Sequence, residues 1–209
     1  MFNLWEEKRM YDPYDHYFKK AKAAGYKARS AFKLEEIQEK FRLIDKNTKS
    51  IVDIGCAPGS WLQYTSGYLK KIGNKNFKMV WFDLKEVTTN VPNTVTYEQD
   101  ITETEKVREL LEENGIKKLD FIQSDMAPNT IWVKDVDAIR AFGLIKSTMW
   151  IYKELLSENG KLVVKVFMGP WFEEFVAEMK TIFGWKNIKV FKPLSCRKES
   201  KETYVIKYR

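Results

Sequence analysis

Seven short runs rich in β-branched and aromatic residues punctuate the chain: "IVDI", "KMVWFDL", "TVTYEQDI", "KLDFIQS", "KLVVKVF", "WKNIKVFKP" and "ETYVIKYR". Helical patterns separate most of them, and this alternation dictates crossover connections and hence a mostly parallel, doubly wound sheet with helices on both faces. The last two runs have no helix between them, so they pair as antiparallel neighbours. The expected helices are "DHYFKKAKAAGYKAR" ending near Gly25, "SAFKLEEIQEKFRLI" with Ser30 as N-cap, "SWLQYTSGYLKKI", "TETEKVRELLEENG" capped by Thr102 or Thr104, a long one over 135–160, and "PWFEEFVAEMKTIFG" with Pro170 in its first turn. Leu34, Ile37 and Phe41 recur at helical spacing and give the second helix a core face. With 209 residues and no repeat or low-complexity segment, the chain reads as one domain whose first 40 residues form a basic helical extension.

The fifth run poses a chemical question. Lys165 lies among Val163, Val164, Val166 and Phe167, on the strand face shared with Val163 and Phe167. An ammonium placed there is costly unless it is paired or reaches water. Asp125, in "SDMAPN" at the end of the fourth run, is a candidate partner if the two strands are neighbours.

The turn after the first run, "DIGCAPGSW", is built from small residues that let a ligand approach the backbone. In a doubly wound sheet ligands bind at the carboxyl ends of strands, near the switch point where this turn falls. Pro58 and Ser60 break the G-x-G-x-x-G pattern, so an adenosine-bearing cofactor other than a hydride carrier is expected. Asp83, ending the second run, is placed to accept ribose hydroxyls, and Asp100, ending the third, an adenine amino group. As plain structural residues Asp83 would end a turn, Asp100 would cap the next helix and Trp61 would pack in the core.

Charge narrows the partners. Residues 1–33 carry eight basic and four acidic groups and residues 180–209 nine and two, in a chain of net +7, so both ends are basic around a mildly acidic centre. If the ends meet in space they form a polyanion-binding surface. One histidine, His16, and two cysteines, Cys56 and Cys196, leave little for a metal site or a Cys/His or Ser/His pair, and no metal is expected. No apolar run is long enough to span a bilayer, and the N-terminus, which carries four acids and lacks an apolar core, does not read as a signal peptide. The expected location is the cytoplasm, or an organelle if a targeting segment is missing.

Five motifs, "GYKARSAFKL", "DIGCAPGSW", "SDMAPN", "VVKVF" and "SKETYVI", taken in order, closely resemble the FtsJ family of S-adenosylmethionine-dependent RNA 2′-O-methyltransferases, from about residue 14 to the end. The resemblance implies a Rossmann-like class I methyltransferase fold with a seven-stranded sheet whose last strand is antiparallel. It also implies S-adenosylmethionine as cofactor and a catalytic tetrad of Lys33, Asp125, Lys165 and Glu202 around a ribose 2′-hydroxyl. By the same carry-over Gly55, Ala57, Pro58, Gly59, Trp61, Asp83, Asp100 and Asp125 would line the cofactor site. "TIWVKD", after "SDMAPN", is bulkier than the small residues common in the family. The implied substrate is a uridine of large-subunit ribosomal RNA, methylated by a monomer. The alternatives are a tRNA anticodon loop, where relatives often use a helper protein, a non-catalytic RNA-binding assembly protein on the same fold, and a small-molecule methyltransferase. The basic N-terminal arm and "KPLSCRKESK" would grip phosphates, with Trp5, Tyr14, Tyr17 and Tyr26 available to stack on bases.

Overall fold

The computed structural model describes residues 15–87, 89–127 and 134–209. One seven-stranded sheet runs through it: β1 (Ser50–Ile54), β2 (Lys78–Asp83), β3 (Thr94–Glu98), β4 (Leu119–Ser124), β5 (Leu156–Phe167), β6 (Ile188–Phe191) and β7 (Glu202–Lys207), in the order β3-β2-β1-β4-β5-β7-β6. β1 to β5 pair in parallel, and β7 is inserted antiparallel between β5 and β6. The order reverses at β1, which lies between β2 and β4, and this switch point opens a crevice at the strands' carboxyl ends.

Two apolar layers sandwich the sheet. On one face Ile51, Met79, Trp81, Phe121, Val163 and Ile206 pack against α2 (Ala31–Phe41) and α3 (Ser60–Lys71) through Leu34, Ile37, Leu62 and Leu69. On the other, Val52, Val80, Ile122, Leu162, Val164 and Val205 pack against α4 (Thr104–Glu113), α5 (Lys134–Ser147) and α6 (Phe172–Phe183). The strand period of two sorts neighbouring residues to opposite layers, so Val163 and Val164 belong to different cores. α1 (His16–Ala23) rests on α2, with Asp15 capping it through the Phe18 amide at 3.0 Å. Tyr17 and Tyr26 pack on Phe32, each with ring centroids 5.8 Å apart, which is helix packing; Trp5 and Tyr14 lie outside the described residues, as does most of "TIWVKD".

Several expected boundaries move. Ser30 holds the N-cap position of α2 but makes no capping bond; its hydroxyl pairs with that of Ser60 at 2.7 Å. Neither Thr102 nor Thr104 caps α4: Glu103 holds that position, and Thr102 is turned toward Asp100. Pro170 precedes α6, which begins at Phe172 after a turn from Gly169. The long helix expected over 135–160 is interrupted at Thr148, where α5 ends, continues helically through Met149 and Trp150 into a π-helical turn at Ile151–Leu155, and becomes β5 at Leu156. There the antiparallel Lys207 side chain reaches back to the carbonyls of Glu158 and Gly160 at 3.1 and 2.6 Å, a tertiary tether with no local signal.

Candidate active site

The crevice at the switch point is a cavity of about 290 Å³ lined by Gly55 and Ala57 after β1, Asp83, Leu84 and Lys85 after β2, Asp100 and Ile101 after β3, Asp125 to Ala127 after β4, and Leu144 of α5, among others. Its walls are apolar and its convergent side chains acidic. Asp83 accepts from the Ala57 amide at 2.8 Å on one oxygen and from the Lys85 amide at 2.9 Å on the other. That leaves each oxygen a further lone pair toward the cavity. Asp100 divides its carboxylate: Oδ1 accepts from the amide and hydroxyl of Thr102, both at 2.8 Å, and Oδ2 has no partner among the described residues. Loop capping thus occupies one oxygen of a residue that also lines the cavity.

The glycine loop is shaped from behind. Gly55 has φ +72°, and a Cβ there would lie 2.4 Å from the Cβ of Met126. Gly59, at φ +98°, would meet Thr89 at 2.8 Å, and Thr89 donates to the Pro58 carbonyl at the same distance. Pro58, Gly59 and Trp61 do not line the cavity. The first two form the rear of the loop. Trp61 is buried under Tyr204, with centroids 5.7 Å apart, and its indole N–H donates to the Ser30 carbonyl at 2.8 Å, which ties α3 to the start of α2.

At the cavity's inner edge the four expected ionisable side chains come together. Lys165 is 8% exposed, and its Nζ lies 3.1 Å from Asp125 Oδ1 and also donates to the Asp125 backbone carbonyl. The mid-strand lysine thus has its partner just past the end of the neighbouring strand. Lys33, in the first turn of α2, pairs with Glu202 Oε1 at 2.5 Å. The two ion pairs are joined by a residue the sequence did not single out. Tyr204, opposite Lys165 in the β5–β7 register, directs its hydroxyl to Asp125 Oδ1 at 3.0 Å and to Glu202 Oε1. A buried tyrosine two positions after Glu202 on an alternating strand was the available signal, because the period of two puts both side chains on one face. Cys196 adds a weak contact to Glu202 at 3.6 Å.

Electrostatics fixes the protons on two members. Burial works against a charged Lys33, but Asp125 and Glu202 outweigh it and hold its pKa above the ordinary value, so it remains an ammonium. Burial, then the carboxylates of Asp125 and Glu202, push the Tyr204 phenol well above 10, so it remains a donor. Beneath the loop, Asp53 is fully buried; burial, opposed by the Gln123 hydrogen bond and reinforced by Asp125 and Asp83, raises its pKa to about 8.

The described part of the basic N-terminal segment meets the basic C-terminal loop beside this cluster. Glu36 of α2 accepts the amides of Leu194 and Ser195 at 2.6 and 2.9 Å, and Arg29 donates to the Ser195 carbonyl and pairs with Asp15. No described helix is long and apolar enough to cross a membrane.

The donor set suits an S-adenosyl ligand: carboxylates for a cation and for sugar hydroxyls, and Phe82, Ile101, Met126 and Leu144 for a flat apolar ring. The chain is 42% identical to ribosomal RNA large subunit methyltransferase E of Pelagibacter ubique, over 92% of this chain and 90% of the relative. It is 38% identical to the protein of the same name from Desulfatibacillum aliphaticivorans, over 98% and 90%. A solved ribosomal RNA methyltransferase of Plasmodium falciparum superimposes with a TM-score of 0.74 at 28% identity, covering 88% of this chain and 97% of that one. The FtsJ-like methyltransferase family model matches residues 26–209, and the chain belongs to that family.

Proposed function

We propose that this chain transfers the methyl group of S-adenosylmethionine to the 2′-oxygen of a ribose in RNA, a uridine of large-subunit ribosomal RNA, acting as a monomer in the cytoplasm. The observation that carries the reading is the convergence of Lys33, Asp125, Lys165 and Glu202 at the edge of an acidic cavity. The basic surface formed by both chain ends beside it supports a polyanionic substrate, and the names of the relatives support ribosomal RNA.

Asp83 would hold the sugar hydroxyls, the free oxygen of Asp100 the adenine amino group, and Asp125 would face the cationic end of the cofactor. Bound there, the cofactor supplies a methyl group on a sulfonium, already activated for displacement. Lys165 then has one task. Its tetrahedral Nζ uses one direction for Cε, one for the Asp125 carbonyl and one for Asp125 Oδ1. The fourth is left for the 2′-hydroxyl. Through that direction Lys165 orients the 2′-oxygen for in-line attack and receives its proton as the methyl group is transferred. The Lys33 ammonium neutralises Glu202 so that Tyr204 can turn its single proton toward either carboxylate. Alignment of this kind can contribute roughly 7–11 kcal/mol, and a positioned base about 10²–10⁴-fold.

The test is methyl transfer from labelled cofactor to large ribosomal subunits, their RNA, and tRNA, with the modified ribose mapped. Wild type is expected to label one large-subunit ribose. Lys165→Ala should lose at least 10²-fold in rate while cofactor affinity stays within threefold. Labelling of tRNA alone would overturn the substrate, and full activity of Lys165→Ala the mechanism.

A further inference from the structure

Leu194 is 85% exposed, the highest value among the large apolar side chains described. A single exposed leucine ordinarily needs no explanation. This one is held in place by other elements. Its own amide and that of Ser195 are fixed by the Glu36 carboxylate at 2.6 and 2.9 Å, and the Ser195 carbonyl by Arg29. The Cys196 amide closes a turn onto the Pro193 carbonyl at 3.1 Å, and Lys192 reaches across the base of the loop to the Ser200 carbonyl at 2.5 Å. A carboxylate spent on two loop amides makes a rigid loop, so the leucine is presented at a fixed place without support from the core.

That place is beside the reaction. Cys196, two residues on, touches Glu202 at 3.6 Å. Two residues span at most about 7 Å, so with the cysteine side chain and its 3.6 Å contact added the Leu194 backbone lies within roughly 14 Å of the Glu202 carboxylate, about four stacked nucleotides at ~3.4 Å per step. Arg29 bonds the neighbouring Ser195 carbonyl, Lys192 spans the loop to the carbonyls of Lys198 and Ser200, and Arg197, Lys198 and Lys201 follow on the same segment. The other strongly exposed apolar side chains differ: Leu84 belongs to the cofactor cavity, and Trp185, beyond α6, lies under Lys180 at 4.9 Å. An apolar side chain raised from a basic surface is the arrangement by which proteins enter a base step and unstack it, while cations hold the flanking phosphates.

We infer that Leu194 is a wedge that unstacks RNA beside the acceptor nucleotide, giving the four ionisable side chains in-line access to a 2′-hydroxyl that stacking would otherwise hold away. The inference rests on the RNA reading above and deepens it.

The probe is a hairpin RNA carrying the acceptor nucleotide with 2-aminopurine beside it in the stem, paired with a single-stranded RNA of the same sequence. Binding of wild type should raise 2-aminopurine fluorescence severalfold. Leu194→Ala should bind the hairpin within threefold of wild type with no rise, and Leu194→Met should restore it. The ratio of kcat/KM on hairpin to single strand should fall at least tenfold in Leu194→Ala. An equal rise in Leu194→Ala, or a ratio within twofold of wild type, overturns the wedge. A wild-type rise that needs Leu194 but comes without methyl transfer keeps the wedge and refutes the methylation reading; transfer without any rise does the reverse.

Discussion

Replacing Gly55 by alanine separates backbone conformation from close packing at the site. Gly55 and Gly115 share a φ of +72°, a region that alanine enters at a cost of about 1–2 kcal/mol. Around Gly115, which follows α4 at the far end of the sheet, a new Cβ meets nothing within 4 Å. At Gly55 it would lie 2.4 Å from Met126 Cβ and 2.5 Å from Met126 Cα, where ordinary contact begins at 3.4 Å. The loops after β1 and β4 must therefore separate by about 1 Å, at an overpacking cost of about 1–3 kcal/mol. Gly115→Ala should lose about 1–2 kcal/mol, and Gly55→Ala about 2–5 kcal/mol. At about 2–4 °C per kcal/mol for a chain of this size, the melting temperatures drop by roughly 2–8 and 4–20 °C. The same displacement moves Asp125, adjacent to Met126, and stretches its contacts to Lys165 and Tyr204, now 3.1 and 3.0 Å, beyond hydrogen-bonding range. Methyl transfer should fall by about 10²-fold in Gly55→Ala, the scale of a 1 Å misplacement, and stay near wild type in Gly115→Ala. Thermal unfolding and labelled-cofactor transfer measure both. If the two variants melt together and transfer equally, the close approach of the loops does not position the site.

Tyr204→Phe removes the hydroxyl between the two carboxylates and should lower kcat by about tenfold, the loss of one hydrogen bond to a charged group, with cofactor affinity retained; an unchanged kcat would show that the ion pairs hold themselves. Asp53 has a folded pKa of about 8 against 3.8. Between those values the folded state binds the extra proton, so this group's stabilisation is complete below about pH 4 and lost as pH rises through 8. Asp53→Asn should flatten that part of the melting-temperature profile between pH 5 and 9, and an unaltered slope would place the titration elsewhere. RNA affinity should fall steeply between about 50 and 200 mM salt, and a flat response would remove the basic surface from substrate binding.

The linear chain determined the strand–helix alternation, the parallel sheet with its antiparallel last strand, and the chemical misfit of Lys165, because these depend on periodicity and on the price of an isolated ammonium. It also marked Asp83, Asp100 and Asp125, since an acid at a strand's carboxyl end is visible in one dimension. It did not determine what surrounds them. That Tyr204 links two ion pairs, that Trp61 supports Tyr204 and stays out of the cavity, that Ser30 bonds Ser60 and leaves α2 uncapped, and that Leu156 pairs with Leu119 while Lys207 bonds the Gly160 carbonyl are matters of tertiary structure. These contacts join residues from 2 to 143 positions apart. Such contacts form only when the folded sheet fixes distances that local propensity leaves open, which is also why Lys33 and Glu202, ordinary surface charges on their own segments, meet at 2.5 Å.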